Sequence, residues 1–167
     1  MRMVTRALDR VSDVLVAVGV VAAILMALHV FADVVSKFLF NFPLAGTLEI
    51  VANYYMVALI FAPLAYVQRK DGHIAAELLT RFLSPGVMRW VAALTYFLMA
   101  GFAALLVWRS SVEALRSFDV RESVQTSGYF VYTFPARWIV PAGLVAMAAY
   151  ALVQALKAVS RASDRDV

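Results

Sequence analysis

Few side chains in this sequence are placed to do chemistry in an apolar setting, and the clearest case is a carboxylate. Glu49 precedes the apolar stretch 50–67, and Asn53 follows Glu49 by one helical turn. An ionisable side chain at membrane depth indicates substrate or ion binding by default. A structural role is favoured here, because a helix N-terminus stabilises an anion and a neighbouring helix can pair with it. Glu49 and Asn53 are therefore the candidate residues for contact with another subunit, with substrate or ion binding as the alternative.

A second polar set, His29, Asp33 and Lys37, follows four-residue spacing at the end of the first apolar segment. This spacing places all three side chains on one helix face. The set could relay a proton or an ion, but no second cluster at the same depth supports a relay. The favoured interpretation is a ladder of i,i+4 contacts where the helix leaves the membrane.

The sequence patterns of catalysis and of cofactor binding are absent. The chain has no cysteine, and its two histidines, His29 and His73, stand on different connections. Thiol chemistry is thereby excluded, and haem ligation between helices has no evident pair. No glycine-rich phosphate loop and no HExxH motif is present. We therefore predict no enzymatic activity, no cofactor and no metal site.

The elements that carry these residues must be apolar helices, because the chain is too hydrophobic for water. Hydrophobic residues make up 63% and charged residues 16% of the sequence, and the mean hydropathy is +0.81. A soluble domain has about 25% charged residues. Lipid is therefore the expected solvent for most of this surface.

Four apolar segments are long enough to cross a bilayer, which takes about 20 residues. They predict an all-α membrane protein with a single domain over residues 1–167. The spans are expected at about 12–34, 48–68, 87–110 and 135–157. Arginines precede the first segment as they would in a signal peptide, but its apolar run exceeds a signal core of about 7–15 residues. We therefore predict that this segment stays as an uncleaved helix.

Basic residues decide the predicted orientation. Most of the 15 Lys and Arg residues lie before the first span, between the second and third spans, and after the fourth. The positive-inside rule therefore places both termini in the cytoplasm, together with the connection between the second and third spans.

That connection is predicted to lie on the cytoplasmic membrane surface. Ile74, Leu78 and Phe82 recur at four-residue steps, which predicts a short interfacial amphipathic helix over 73–83. Basic residues and a glycine end the span before it. The candidate interfacial anchor comprises Arg69, Lys70, His73, Ile74, Leu78 and Phe82.

Prolines and aromatic residues indicate the local shape of the later elements. Pro63 predicts a kink in the second span, and Pro141 should bend the fourth unless that helix begins later. The third helix is expected to overrun the membrane to about Ser117, and 123–128 to form a polar turn. An aromatic anchor at headgroup level is predicted from Tyr129, Phe130, Tyr132 and Phe134.

The almost wholly apolar midplane argues against a complete transporter. Transporters usually carry broken helices and polar groups at that depth. Most ionisable residues of this chain stand at or beyond the ends of the spans instead. This distribution predicts an accessory or scaffold subunit.

The chain resembles the DctQ-type small membrane subunits of tripartite ATP-independent periplasmic (TRAP) transporters. The resemblance rests on the four-span layout and on three segments. These are FNFPLAGTLEI at 40–50, RKDGHIAAELL at 69–79, and PARWIVPAGLVAMAAYAL at 135–152. The third connection, 109–134, shows no pattern of the family.

The resemblance implies partners and a location. Such subunits pair with a larger DctM-type membrane subunit that holds the sodium and substrate sites, in the bacterial inner membrane. A periplasmic binding protein delivers the solute, commonly an organic anion. The small subunit would be a static scaffold beside an elevator-like transport subunit, with no nucleic acid as partner.

The resemblance also assigns expected roles to the residues named above. Glu49 and Asn53 would brace the contact with the large subunit, and the 73–83 helix would anchor the scaffold at the cytoplasmic surface. Candidate periplasmic docking residues for the binding protein are Lys37, Arg116 and Arg121.

Two other classes of protein compete with this one. A small homo-oligomeric exporter or channel would need a membrane-embedded carboxylate shared between protomers, for which Glu49 is the candidate. A membrane anchor of a redox enzyme would bind haem or a quinone.

Overall fold

The computed structural model describes residues 2–70, 85–126 and 128–163, and it consists mainly of helices. Helix α1 covers Arg2–Phe40 and helix α5 covers Pro85–Asp119. Between them lie α2 (Thr47–Ile50), a π-helical turn (Val51–Tyr55), α3 (Met56–Phe61) and α4 (Leu64–Arg69). After α5 come strands β1 (Ser123–Gln125) and β2 (Phe130–Tyr132), a 3₁₀ turn (Ala136–Trp138) and α6 (Ile139–Ser163).

Four helical segments are long and apolar enough to cross a membrane, as the sequence predicts. We call them the first to fourth spans, and they cover Thr5–Phe40, Thr47–Arg69, Ala93–Asp119 and Ala136–Lys157. The fourth span is central, because it packs along the third and also contacts the first two. Only a small share of the residues in the other three spans is buried by the described part of the chain.

Small residues allow the second and fourth spans to cross closely. Ala62 and Ala65 of the second span and Ala146 of the fourth are almost fully buried. A Cβ atom added at Gly143 would overlap the carbonyl oxygen of Phe61, so only glycine fits at this crossing. Small residues at helix contacts let backbones approach, which is the main source of packing between helices in lipid.

The bundle has two ends, the terminal end and the hairpin end. The terminal end holds the start of the first span, the end of the second and the end of the fourth, where Tyr150 contacts Asp9. The hairpin end holds the loop 41–46 and the antiparallel hairpin of β1 and β2, in which Val124 pairs with Val131.

The second span is interrupted twice. The expected break at Pro63 is present, because helix α3 ends at Phe61 and α4 begins at Leu64. The Pro63 carbonyl accepts the backbone N–H groups of Tyr66 and Val67, each at 3.0 Å, which restarts the helix. The π-helical turn was not predicted, since nothing in its sequence distinguishes it from α-helix.

The fourth span accommodates Pro141 because its α-helix begins late. The 3₁₀ turn Ala136–Trp138 precedes it, so Pro141 is the third residue of α6. Backbone N–H groups in the first turn of a helix have no intrahelical partner, and a proline there loses nothing. The sequence alternative of a later helix start is therefore the one observed, and no bend is required.

Two predictions on the connections have different outcomes. The polar turn expected at 123–128 is wrong, because strand β1 occupies Ser123–Gln125 and the aromatic residues after it supply β2. The amphipathic helix over 73–83, with His73, Ile74, Leu78 and Phe82, lies outside the described residues.

Candidate functional sites at the two ends of the bundle

A polar cluster at the terminal end ties three spans together. The guanidinium of Arg69 lies 2.8 Å from Asp13 Oδ1 and 3.7 Å from Asp9 Oδ1. Tyr150 of the fourth span donates its hydroxyl to Asp9 Oδ1 at 2.5 Å. The two aspartates, four residues apart, stand on one face of the first span and share the single cation.

Two glutamines extend this cluster into the bundle. Gln68 is fully buried, and its Nε2 donates to Gln154 Oε1 at 2.6 Å. Gln154 returns a hydrogen bond from its Nε2 to the Gln68 carbonyl at 2.9 Å. A buried amide is stable in an apolar setting only when its groups are paired in this way.

Arg69 therefore makes contacts between spans that were not predicted, and its role as an interfacial anchor stays a prediction. Its side chain also stacks 4.7 Å from the centre of the Tyr66 ring, and Lys70 Nζ lies 5.8 Å from the same ring. Within the described residues Arg69 is a tie between spans, whereas Lys70 remains exposed beside it. The clue available in the sequence was the four-residue spacing of Asp9 and Asp13 at the same predicted depth as Arg69.

The polar set on the first span does not form the expected ladder. His29 Nδ1 lies 3.4 Å from the Tyr55 hydroxyl of the second span. Asp33 Oδ1 accepts the Leu44 backbone N–H at 2.6 Å, which fixes the following loop. Lys37 is exposed and makes no ion pair with Asp33 in the described part of the chain. The ladder interpretation is therefore wrong, because each side chain has a separate environment.

The hairpin end is joined to the first loop by tyrosines. Tyr129 of the hairpin donates its hydroxyl to the Ala45 carbonyl, and Tyr54 of the second span donates to the Tyr132 carbonyl. Gly46 has φ of 82°, and a Cβ there would also overlap the Tyr129 hydroxyl. The loop and hairpin thus form one surface, although 84 residues separate Tyr129 from Ala45.

The hairpin is fixed to the bundle by a second ion pair. Glu122 accepts from Arg137 Nε at 3.1 Å and from Nη2 at 2.8 Å, and Ser117 donates its hydroxyl to the same carboxylate. These hydrogen bonds, that of Arg137 first, hold the pKa of Glu122 below its usual value. The Glu122 carbonyl also accepts the Thr133 N–H at 2.9 Å, so the pair closes the base of the hairpin.

Glu49 lines an open cleft at the hairpin end. The cleft has a volume of about 580 Å³ and also borders Asp33 and Gln125. The Glu49 side chain is half-buried, and within the described residues its carboxylate has no hydrogen bond or ion pair. Asn53 donates its Nδ2 to the Glu49 carbonyl at 2.9 Å, so Asn53 braces the backbone where the π-helical turn begins.

The three candidate docking residues share the hairpin end. Lys37, Arg116 and Arg121 are all exposed, and none of them has an ion pair among residues 2–70, 85–126 and 128–163. Arg121 also borders a hollow of about 340 Å³ with Phe118, Tyr132 and Phe134. Their arrangement leaves cationic side chains available beside the hairpin.

Between these two polar ends the four spans contain no charged residue. Charges stop at Asp13 and resume at Asp33 in the first span, and the second span has none between Glu49 and Arg69. The architecture is that of a multi-pass membrane protein without a charged path across its middle.

Comparison with known protein families identifies the family to which this chain belongs. The family model described as Tripartite ATP-independent periplasmic transporters, DctQ component, matches residues 26–161. Since the match covers most of the chain, the chain belongs to the DctQ family and is a small membrane subunit of a TRAP transporter. A search of curated proteins and a search of solved structures gave no match.

Proposed function

We propose that this chain is a non-catalytic scaffold for a large DctM-type transport subunit. The complex takes up organic acids across the bacterial inner membrane, coupled to sodium and supplied by a periplasmic binding protein. Sodium, solute class and partners follow from what the DctQ family implies. The role of scaffold follows from the chain itself.

The observation that carries the proposal is the uncharged middle between two polar ends. Ion and solute pathways through membranes are marked by ionisable groups inside the spans. The ion pairs of the described residues instead join the second span to the first, at Arg69, and close the base of the hairpin, at Glu122. Such contacts hold the parts of the chain together, which suits a support better than a moving carrier.

The proposal includes an orientation. The terminal end faces the cytoplasm, as the distribution of basic residues favours. The hairpin end then faces the periplasm, where Lys37, Arg116 and Arg121 would meet the binding protein. Cationic side chains that lack ion pairs within the described residues are suited to steer a partner of opposite charge.

The test is copurification from native membranes. A C-terminal tag on the chain should recover the large subunit in a fixed ratio, as identified by mass spectrometry in mild detergent. Uptake of the solute that binds the co-encoded binding protein should require both membrane chains. A chain recovered only with copies of itself would overturn the proposal.

The competing exporter function keeps one observation in its favour, which is that the Glu49 carboxylate has no ion pair within the described residues. An exporter of this kind would act without other subunits. The purified chain in liposomes should then move solute on its own, and Glu49→Gln should abolish that movement. The scaffold proposal predicts no transport by the chain alone.

A further inference from the structure

A groove runs between the first and second spans at membrane depth. Its apolar part has a volume of about 470 Å³ and is lined by Met26, Val30, Met56 and Leu59 among others. The cleft that contains Glu49 lies between the same two spans, and Asp33 stands one helical turn after Val30. Val30 and Val51 line the groove, and Asp33 and Glu49 of the same two spans line the cleft, so the apolar groove and the acidic cleft are neighbours along these spans.

Within the described residues the Glu49 carboxylate has no ion pair, so it is available to a cation of a partner. A half-buried charge next to hydrocarbon costs free energy unless a partner compensates it. Asp33, the other carboxylate of the cleft, is already held by the Leu44 N–H. Lys37, the next basic residue along the first span, is not among the residues that line the cleft. A cation that pairs with Glu49 would therefore come from outside the described residues.

The outward face of helix α5 (Pro85–Asp119), which contains the third span, has the opposite character. Trp90 and Trp108 are 66% and 70% exposed, and Phe97 between them is also 66% exposed. The two tryptophans are five helical turns apart, so they stand on one face about 27 Å apart. This distance matches the hydrocarbon thickness, and tryptophan at both interfaces is the mark of a lipid-facing surface. The first and second spans contain no tryptophan.

We infer that the groove between the first and second spans receives a transmembrane helix of the large subunit, whose Lys or Arg pairs with Glu49. The third span faces lipid. This inference rests on the proposed function and names the contact surface. A second copy of this chain is a poor occupant, because a two-fold contact would bring two identical acidic clefts together.

Photo-cross-linking in the assembled complex tests the surface. Benzoylphenylalanine replaces Met56 in the groove or, as the matched control, Phe97 on the third span. The Met56 position should give a covalent product with the large subunit about tenfold stronger than the Phe97 position, since only groups in contact react. A stronger product at Phe97, a product with a second copy at Met56, or adducts with lipid alone at Met56 would overturn the inference.

Charge exchange tests the pairing. Glu49→Lys should lower recovery of the large subunit about tenfold, because like charges at an interface repel. Asp119→Lys, a carboxylate on the third helix at the same end, should leave recovery unchanged. A Lys→Glu or Arg→Glu change in the cross-linked helix of the large subunit should restore recovery with Glu49→Lys. Unchanged recovery with Glu49→Lys, or no restoring change, would overturn the pairing.

The two proposals fail in different ways. If the tagged wild-type chain recovers no large subunit, the proposed scaffold function fails and the inferred contact falls with it. If the large subunit is recovered but Met56 does not cross-link to it, only the inferred surface is wrong.

Discussion

The two ends of this bundle differ in how they treat their charges. At the terminal end, Arg69 of the second span forms ion pairs with Asp9 and Asp13 of the first. Tyr150 of the fourth span joins this cluster through its hydrogen bond to Asp9. At the hairpin end one ion pair, Glu122 with Arg137, closes the base of the hairpin. Glu49 and three basic residues there have no ion pair within the described residues. The terminal end thus holds the chain together, and the charges of the hairpin end fit the partner contacts that we propose for it.

The family match begins at residue 26 and contains the whole hairpin end. Asp9 and Asp13 of the terminal cluster precede the match, whereas Arg69 and Tyr150 of the same cluster lie within it. The match therefore does not separate the two ends.

The largest effect is expected where the second and fourth spans cross, since both ends depend on that crossing. Gly143→Val places side-chain atoms where the Phe61 carbonyl oxygen lies. Overpacking of this kind costs about 1–3 kcal/mol. The measurement is the thermal midpoint of the purified chain in detergent. Gly101→Val is the matched control, because nothing lies within 4 Å of a Cβ there. Equal midpoints for the two variants would contradict the close crossing.

A smaller loss is expected from breaking the terminal cluster. Arg69→Met keeps the apolar stem but leaves Asp9 and Asp13 without their cation. Because these groups are partly exposed, the expected cost is about 1 kcal/mol. Lys37→Met, which removes an exposed residue without an ion pair, should leave the thermal midpoint unchanged. If Lys37→Met were as costly as Arg69→Met, the contrast between the two ends would not hold.

The pH dependence of stability should reveal the ion pair of Glu122 with Arg137 at the hairpin end. Folding lowers the pKa of Glu122, so its contribution is fully present above the unfolded value of 4.5 and is lost as the pH falls through the folded value. Glu122→Gln should therefore cost less than about 1 kcal/mol at pH 7, given the partial exposure of the pair. The difference between wild type and variant should shrink as the pH falls below 4.5 and should vanish only below the folded pKa of Glu122. A difference that grows on acidification would show that the carboxylate is not stabilised in this way.

The parts of this fold that the sequence predicts are those with long, local signals. Four apolar runs predict four spans, and Pro63 predicts the break near it, since a proline acts on its own helix. The expected end of the third helix at about Ser117 is close to the observed end at Asp119. These features can be predicted without knowing which helices pack against one another.

The parts that were missed depend on contacts between distant residues. Tyr150 and Asp9 are 141 residues apart, and no local pattern links them. The hairpin has strands of only three residues, which is too short for alternation to be visible. The ladder at His29, Asp33 and Lys37 was a local expectation that tertiary contacts with Tyr55 and Leu44 displaced.

The smallest effect on stability, and a large effect on function, is expected from reversing charges beside the hairpin. Arg116→Glu with Arg121→Glu changes two exposed side chains without ion pairs, so stability should shift by less than about 0.5 kcal/mol. Uptake through the complex should fall several-fold, because the binding protein loses its electrostatic guidance. The fall should be greatest at low ionic strength, where screening is weakest. Lys157→Glu, at the terminal end, is the control that should leave uptake unchanged. If the double variant of Arg116 and Arg121 left uptake intact at low salt, the hairpin end would have to recognise its partner through the exposed aromatic residues of β2 instead.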